Sequence, residues 1–490
     1  MAVGSVIGEN ISGASRREFL KQSAWVAGMG VWVATEPRAR ALEQQSPNER
    51  VNVACIGLGG KGDSDSDQAS MHANIVAICD VDGGALRSKA GKDVNRRYPF
   101  QKSRQFSDFR KMFDEVGKSI DAVTVSIPDH MHAAATMMAM KMGKAVYTQK
   151  PLTHDVWEAR QLRLAAREHN VVTQMGNQGT AGSKFREGVE VIRAGLLGDV
   201  REVHVWTNRP IWPQAPELMT RPPGEPVPDD LKWITWLGTA PVRGYNRGYH
   251  PNHWRGFWDF GTGAIGDMGC HLINLPFMAL NLGHPSAVTA EAGDVNNETY
   301  QSWARIAYEF PARGAMPPVK VVWYEGKRDG KLVLPPPELI EKTLADYGEA
   351  QAPDHKKDQR AKRPDLPSGG AIVVGDKGVL YSPHDYGGAW TLLPGDAYRD
   401  YKAPPQTLPR NKNDSDEGMK IEWIDAIKGG RPPMSNFDYA GMLTEMVLLA
   451  NVAVKHNGKR LEWDGPNMKF PNAPEAEQLL RREYRAPWAL

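Results

Sequence analysis

Val51-Asn52-Val53-Ala54-Cys55-Ile56-Gly57-Leu58-Gly59-Gly60-Lys61-Gly62 decides the fold of this chain. A short apolar run stops abruptly at glycines, which suits a buried parallel strand. Gly57, Gly59 and Gly62 then fall in G-x-G-x-x-G spacing. In such a loop the first glycine allows a tight turn and the second lets the backbone approach a pyrophosphate. The third lets the next helix pack on the strand, with its N-terminus facing the phosphates. Gly60 sits in the same loop and joins the residues expected at a dinucleotide. With 48 glycines in the chain the spacing alone is weak. Context strengthens it, because Asp80 closes the next apolar run, where a carboxylate accepts hydrogen bonds from ribose hydroxyls. A carboxylate there repels a 2′-phosphate, so NAD is expected rather than NADP.

Strand-like and helix-like stretches alternate from this point. Val51–Ile56, Ile75–Cys79, Asp121–Ile127, Ala145–Thr148 and Val171–Met175 read as strands. Gly84–Tyr98, Asp108–Val116, Ala133–Met142 and Asp155–Asn170 read as the helices between them. Such alternation implies an α/β fold: a doubly wound parallel sheet over residues 50–176. Beyond Gly176 the strand-like runs lengthen and alternate, as in Ala304–Phe310 and Val319–Tyr324, with turns between them. Residues 177–490 are therefore expected to form an α+β domain around a mostly antiparallel sheet, with helices at Gly266–Leu282, Gly418–Lys428 and Asp438–His456. Two proline-rich stretches, Pro210–Pro228 and Pro335–Pro367, read as long surface loops. The ligand cleft is expected between the domains, at the carboxyl ends of the parallel strands.

Composition sets bounds. The chain has 490 residues, 24% charged and 41% hydrophobic, which is ordinary for a globular protein. A net charge of +2 gives no footprint for nucleic acid. Cys55, Cys79 and Cys270 are too few for a disulfide framework and read as buried free thiols. No uninterrupted apolar run reaches the roughly 18 residues that span a bilayer, so no stable membrane insertion is expected. Upstream, Ser15-Arg16-Arg17-Glu18-Phe19-Leu20-Lys21, a modestly apolar stretch from Ser23 to Ala34 and Ala39-Arg40-Ala41 read together as a twin-arginine leader over residues 1–41. That route carries folded proteins. A protein that closes around its cofactor before export, to a periplasm or cell envelope, has reason to use it.

Four further clusters carry chemistry. Pro128-Asp129-His130-Met131-His132 follows the third strand, which places Pro128 and His132 near the cofactor unless the stretch is only a helix-capping turn. Gln149-Lys150-Pro151 ends the next strand, and Lys150 is either a solvated surface charge or a cation pointing into the cleft. Asp267 and His271 are four residues apart on one helical face. A carboxylate beside a histidine fixes its tautomer and raises its basicity, as a general base requires. Zinc is not expected, since no other histidine or cysteine stands at ligand spacing to them. Tyr249, His250, Trp254 and Arg255 belong to a run dense in aromatic and polar groups, either a sugar-binding surface or a core-lining loop.

Taken together, GLGGKG, the Asp80 strand end, SIPDHMH, QKP, the Met175–Gln178 stretch MGNQ and GTGAIGDMGCH resemble the Gfo/Idh/MocA family of oxidoreductases, over about 50–485. The resemblance implies a Rossmann domain followed by an open-faced sheet domain, carbohydrate or cyclitol substrates, and association into dimers or tetramers. It implies that Lys150, Asp267 and His271 surround the reacting carbinol, with Lys150 and Gln178 also against the cofactor and Asn177 against the substrate. One departure stands out: the family's usual glutamate is Gln149, which leaves Lys150 without an adjacent carboxylate. Three activities follow. The chain is a net oxidoreductase on a sugar hydroxyl, an NAD-dependent glycosidase that oxidises, eliminates, hydrates and reduces, or a binding protein without turnover.

Overall fold

The computed structural model describes residues 50–92, 100–351 and 364–490. The leader expected over residues 1–41, the end of the Gly84–Tyr98 stretch and residues 352–363 of the second proline-rich stretch lie outside these residues.

The first sheet has six parallel strands in the order β3-β2-β1-β4-β5-β6. They are β1 (Asn52–Ile56), β2 (Asn74–Cys79), β3 (Arg104–Phe106), β4 (Ala122–Val125), β5 (Ala145–Thr148) and β6 (Thr173–Met175). The intervening helices are α1 (Lys61–His72), α2 (Gly83–Ala90), α3 (Phe109–Val116), α4 (Asp129–Lys141) and α5 (Val156–Glu168). β1 and β4 pair at the centre, all four residues of β4 are buried, and the strand order reverses between β3-β2-β1 and β4-β5-β6. That reversal opens a crevice at the carboxyl ends of β1 and β4. α4 starts earlier than the sequence suggested, so Asp129, His130 and His132 occupy its first turn, with Pro128 just before it. Fixed φ makes proline compatible with that entry.

The second sheet has nine strands, eight of them in the order β14-β13-β12-β7-β10-β9-β8-β15, with β11 paired to β10. These are β7 (Val200–Thr207), β8 (Ala287–Gly293), β9 (Trp303–Phe310), β10 (Val319–Arg328), β11 (Lys331–Leu332), β12 (Gly369–Gly375), β13 (Val379–Ser382), β14 (Thr391–Leu393) and β15 (Leu461–Glu462). All pairings are antiparallel except β7 with β10. The helices are α6 (Ser183–Arg193), α7 (Trp233–Leu237), α8 (Gly263–Leu272), α9 (Asn274–Ala279), α10 (Pro337–Gln351), α11 (Asp416–Ile427) and α12 (Phe437–Lys455).

Three expectations change. Gly266–Leu282 is two helices, α8 and α9, meeting at Ile273. The second proline-rich stretch is not all loop: α10 packs Leu339, Leu344 and Tyr347 on the cluster of Trp206, Ile372 and Tyr381, covering part of the outer sheet face. Pro337 opens that helix, the position at which a missing N–H costs nothing. α12 is long and apolar enough overall to cross a bilayer, but 83% of its apolar window is buried against the protein interior, so it is a core helix. The three cysteines are buried and free, in β1, β2 and α8.

Candidate active site

One cleft of about 390 Å³ opens over the carboxyl ends of β1, β2, β4 and β5. Its lining includes Gly57, Gly59, Gly60, Asp80, Pro128, His132, Lys150, Gln178, His250, Trp254, Arg255, Asp267 and His271 from the sequence analysis. Gly62, Asn177 and Tyr249 do not line it.

The glycine loop is built for close approach. Gly57 has φ +88°, and a Cβ there would stand 2.1 Å from the Ser126 carbonyl oxygen. At Gly62 a Cβ would lie 2.3 Å from the Gly57 carbonyl oxygen, so this glycine lets α1 sit on the loop. Gly59 faces open space, which lets a ligand approach the loop closely there. Asp80 accepts from the Leu58 N–H (2.7 Å) and the Asp82 N–H (2.9 Å), which holds its carboxyl beside the loop. Burial pushes this carboxyl up to about 6. Gln178 leaves Oε1 buried without a partner in the structure. An open glycine backbone at a helix N-terminus, a carboxyl at the end of β2 and an orphaned buried amide together fit a dinucleotide.

Lys150, Asp267 and His271 meet at the same cleft. Lys150 Nζ donates to Asp267 Oδ1 (2.9 Å) and to the Asp267 carbonyl (2.7 Å). An ammonium has three protons, so one remains for the cleft. The lysine therefore does have a carboxylate partner, supplied by α8 rather than by its sequence neighbour. Asp267 also meets Arg255 Nε at 3.1 Å and Arg209 Nε at 3.5 Å. Burial opposes its ionisation, but Lys150 and Arg255 hold the carboxyl well below the usual range.

This corrects the expected role of Asp267. Its oxygens serve three cations and do not hydrogen-bond His271, whose Nδ1 is buried without a partner. Burial and the Lys150 charge hold the His271 ring well below the ordinary imidazole range, hence neutral. Its ring stands edge-on to Tyr386, centroids 4.7 Å apart.

Gln149 also has a defined place. Its Nε2 donates to Asp65 Oδ2 at 2.8 Å. Asp65 is fully buried on α1 and also takes Ser126 Oγ (2.8 Å), Lys61 (2.8 Å) and Lys420 of α11 (2.6 Å). Burial pushes Asp65 up, but Lys420 and Lys61 outweigh it and bring it down to about 2. The carboxylate missing at 149 is thus present at 65, facing the amide from the opposite element.

Other predicted residues turn elsewhere. His132 lines the cleft, but its two nitrogens face the Pro151 carbonyl (2.8 Å) and the Ile127 carbonyl (2.7 Å); burial keeps the ring neutral, so its single N–H donates to one of them, and it offers the cofactor no nitrogen. Asn177 is buried between Ser435 and the Cys270 carbonyl and braces β6 against α8. Tyr249 belongs to an aromatic core with Trp233, Phe257 and Phe260, and its hydroxyl accepts from Arg243. His250 stands 3.7 Å from Asp82, the N-cap of α2, on the Asp80 side of the cleft.

Arg209, Tyr386 and Asp129 are among the polar lining residues to which no local motif assigns a role. Arg209 lies just past β7, Tyr386 lies in the turn between β13 and β14, and Asp129 opens α4. Asp129 is buried, accepts from Thr262 Oγ1 at 2.6 Å, and is pushed by burial up to about 7.

Residues 51–177 match a family model described as "Oxidoreductase family, NAD-binding Rossmann fold". Residues 185–317 match its companion, "Oxidoreductase family, C-terminal alpha/beta domain". Among curated proteins, the scyllo-inositol 2-dehydrogenase (NADP(+)) IolW of Bacillus subtilis (strain 168) is 28% identical over 173 residues, 35% of this chain and 37% of that protein. Inositol 2-dehydrogenase 3 of Saccharopolyspora erythraea is 29% identical over 171 residues, 34% of this chain and 47% of that one. Both alignments span less than half of the relative. The fold is shared with the WlbA dehydrogenase of Bordetella pertussis, solved with NADH and UDP-GlcNAcA (TM-score 0.55, 14% identity, 84% of this chain and 99% of that one). It is also shared with the aldose-aldose oxidoreductase of Caulobacter crescentus, complexed with glycerol (TM-score 0.53, 15% identity, 84% and 100%).

Proposed function

The chain belongs to the Gfo/Idh/MocA oxidoreductase family, and from that premise we propose that it oxidises a secondary hydroxyl of a sugar, sugar derivative or cyclitol with a tightly held nicotinamide cofactor. The observation that carries this reading is the meeting of Lys150, Asp267 and His271 in the cleft that the glycine loop and Asp80 line. Inositol, a cyclitol, in the names of the two curated relatives agrees with it. Bound there, nicotinamide supplies the hydride acceptor. Lys150 directs its remaining N–H at the substrate oxygen and stabilises it as negative charge grows. His271, neutral and lining the cleft, takes the hydroxyl proton. Asp267 keeps Lys150 and the two arginines in place.

Asp80 supports NAD over NADP, because its carboxylate opposes a 2′-phosphate. Since the carboxyl sits near 6, it neutralises as pH falls through that value. The ratio of NADP to NAD dissociation constants should therefore shrink between pH 8 and pH 5. Asp80→Asn should show a small, nearly flat ratio across that range. A ratio in the unaltered protein that does not move with pH would remove Asp80 from this role.

A second reading is favoured by Asp129. An NAD-dependent glycosidase needs a further acid and base for elimination and hydration, and a buried carboxyl near 7 at the cleft wall suits that task. Asp129 lines the cleft within reach of the charges of Arg255, Lys150 and Asp267, whereas Tyr249 lies outside the cleft and His250 on its Asp80 side. Product analysis separates the two: a keto sugar with a reduced acceptor supports the dehydrogenase, and a free reducing sugar with no net redox change supports the glycosidase. Export by the twin-arginine route and assembly into a homo-oligomer complete the proposal. The leader residues Ser15–Lys21 and the resemblance support them.

A further inference from the structure

The cation cluster in the cleft is larger than a neutral polyol requires. Lys150, Arg255 and Arg209 converge on the single carboxylate of Asp267, at 2.9, 3.1 and 3.5 Å. One anion leaves the three cations with a positive excess. Asp129, the other carboxyl beside them, is buried and offsets only part of it, and His271 is neutral. Lys61, also at the cleft, is already paired with Asp65 and Asp416.

The two arginines also hold unused donors. Arg255 gives Nε to Asp267, and among the described residues neither Nη1 nor Nη2 has a hydrogen-bond partner. Arg209 gives Nη1 to Asn208 at 3.2 Å, while Nε is buried without a hydrogen bond and Nη2 has no partner among the described residues. Their side chains are 31% and 25% exposed, and both line the cleft. Arg255 lies over the Trp254 ring, 4.2 Å from its centroid, which fixes the plane of the guanidinium. A planar, pre-oriented fork with open N–H groups matches a carboxylate in a way that a hydroxyl does not.

We propose that the substrate of this site is a sugar acid, a uronate or aldonate, whose carboxylate is gripped by Arg255 and Arg209 while its reacting carbinol meets Lys150 and His271. The proposal rests on the oxidoreductase reading and narrows its substrate. Phosphate is the other anion that such a fork accepts, and the cofactor's own pyrophosphate is assigned to the glycine loop.

The test uses the purified protein loaded with NAD and titrated by calorimetry with D-glucuronate, D-galacturonate and D-gluconate. D-glucuronamide, of the same shape as glucuronate but uncharged, is the control. At least one acid should bind roughly ten- to a hundredfold more tightly than the amide. Arg255→Gln should reduce acid binding far more than amide binding, and Arg255→Lys should fall between. Equal binding of acid and amide, no binding of any of the three acids, or an R255Q variant that loses NAD while keeping acid preference would overturn the proposal. Absorbance at 340 nm, read on the same samples, tests the underlying reading separately. Selective acid binding without cofactor reduction keeps the charge assignment and removes the dehydrogenase. Reduction by neutral sugars with no preference for acids does the reverse.

Discussion

Lys150→Met should purify with its cofactor and yet turn over substrate about a thousandfold more slowly than the unaltered protein. Methionine keeps the length and apolar stem of lysine and removes the charge. In the structure two of the three ammonium protons are anchored on Asp267, so the third is aimed by the fold and needs no reorganisation when charge develops on the substrate oxygen. Asp267 remains between Arg255 and Arg209 in the variant, so the carboxylate is not stranded. The loss should therefore appear in kcat, with cofactor content near that of the unaltered protein. His271→Asn should also lose kcat, and the loss should ease as pH rises and solvent base takes over the proton. If Lys150→Ala and His271→Ala both keep full activity on a substrate of the unaltered protein, the catalytic assignment is wrong.

Gln149→Glu should destabilise the protein by about 2–4 kcal/mol, although it restores the residue usual in the family. The mutation replaces the Nε2 donor with an oxygen facing Asp65, whose carboxylate is fully buried. Two buried acceptors then stand where a hydrogen bond was. Asp65→Asn alone should cost a similar amount, since Lys420 is buried as well and keeps one carboxylate, Asp416, beside the Tyr147 hydroxyl. The double variant Q149E/D65N exchanges donor and acceptor across the same gap and returns a charge near Lys420. Its loss of stability, read from urea unfolding, should be smaller than the sum of the two single losses by about 1–3 kcal/mol. Strict additivity would mean that the two side chains do not act as a pair.

The parts of the site that sequence reading located are those written in local signals. Glycine spacing, a carboxylate at a strand end, a lysine at the end of β5 and an i,i+4 pair on α8 each depend on a few consecutive residues, and the cleft gathers all of them. What stayed hidden depends on distant partners. Asn177 turns from the cleft because Ser435 takes its amide oxygen, and Tyr249 because Arg243 and three aromatic rings do the same for its ring. Arg209 and Tyr386 reach the cleft through the pairing of β7 with β10 and β12, and of β13 with β14, which no motif announces. The departure at Gln149 reads as a loss until α1 brings Asp65 against it. α10 was masked by its own prolines, which mark a helix entry as readily as a loop.

The most direct test is a single-turnover experiment on the NAD-loaded protein, mixed with a panel of uronates, neutral sugars and cyclitols and followed at 340 nm. Reduced-nicotinamide absorbance that rises to no more than one equivalent per protein with at least one compound, and is lost in Lys150→Met, is the predicted result. A protein that holds NAD and shows no absorbance change with any of them would contradict hydride transfer as the function of this cleft.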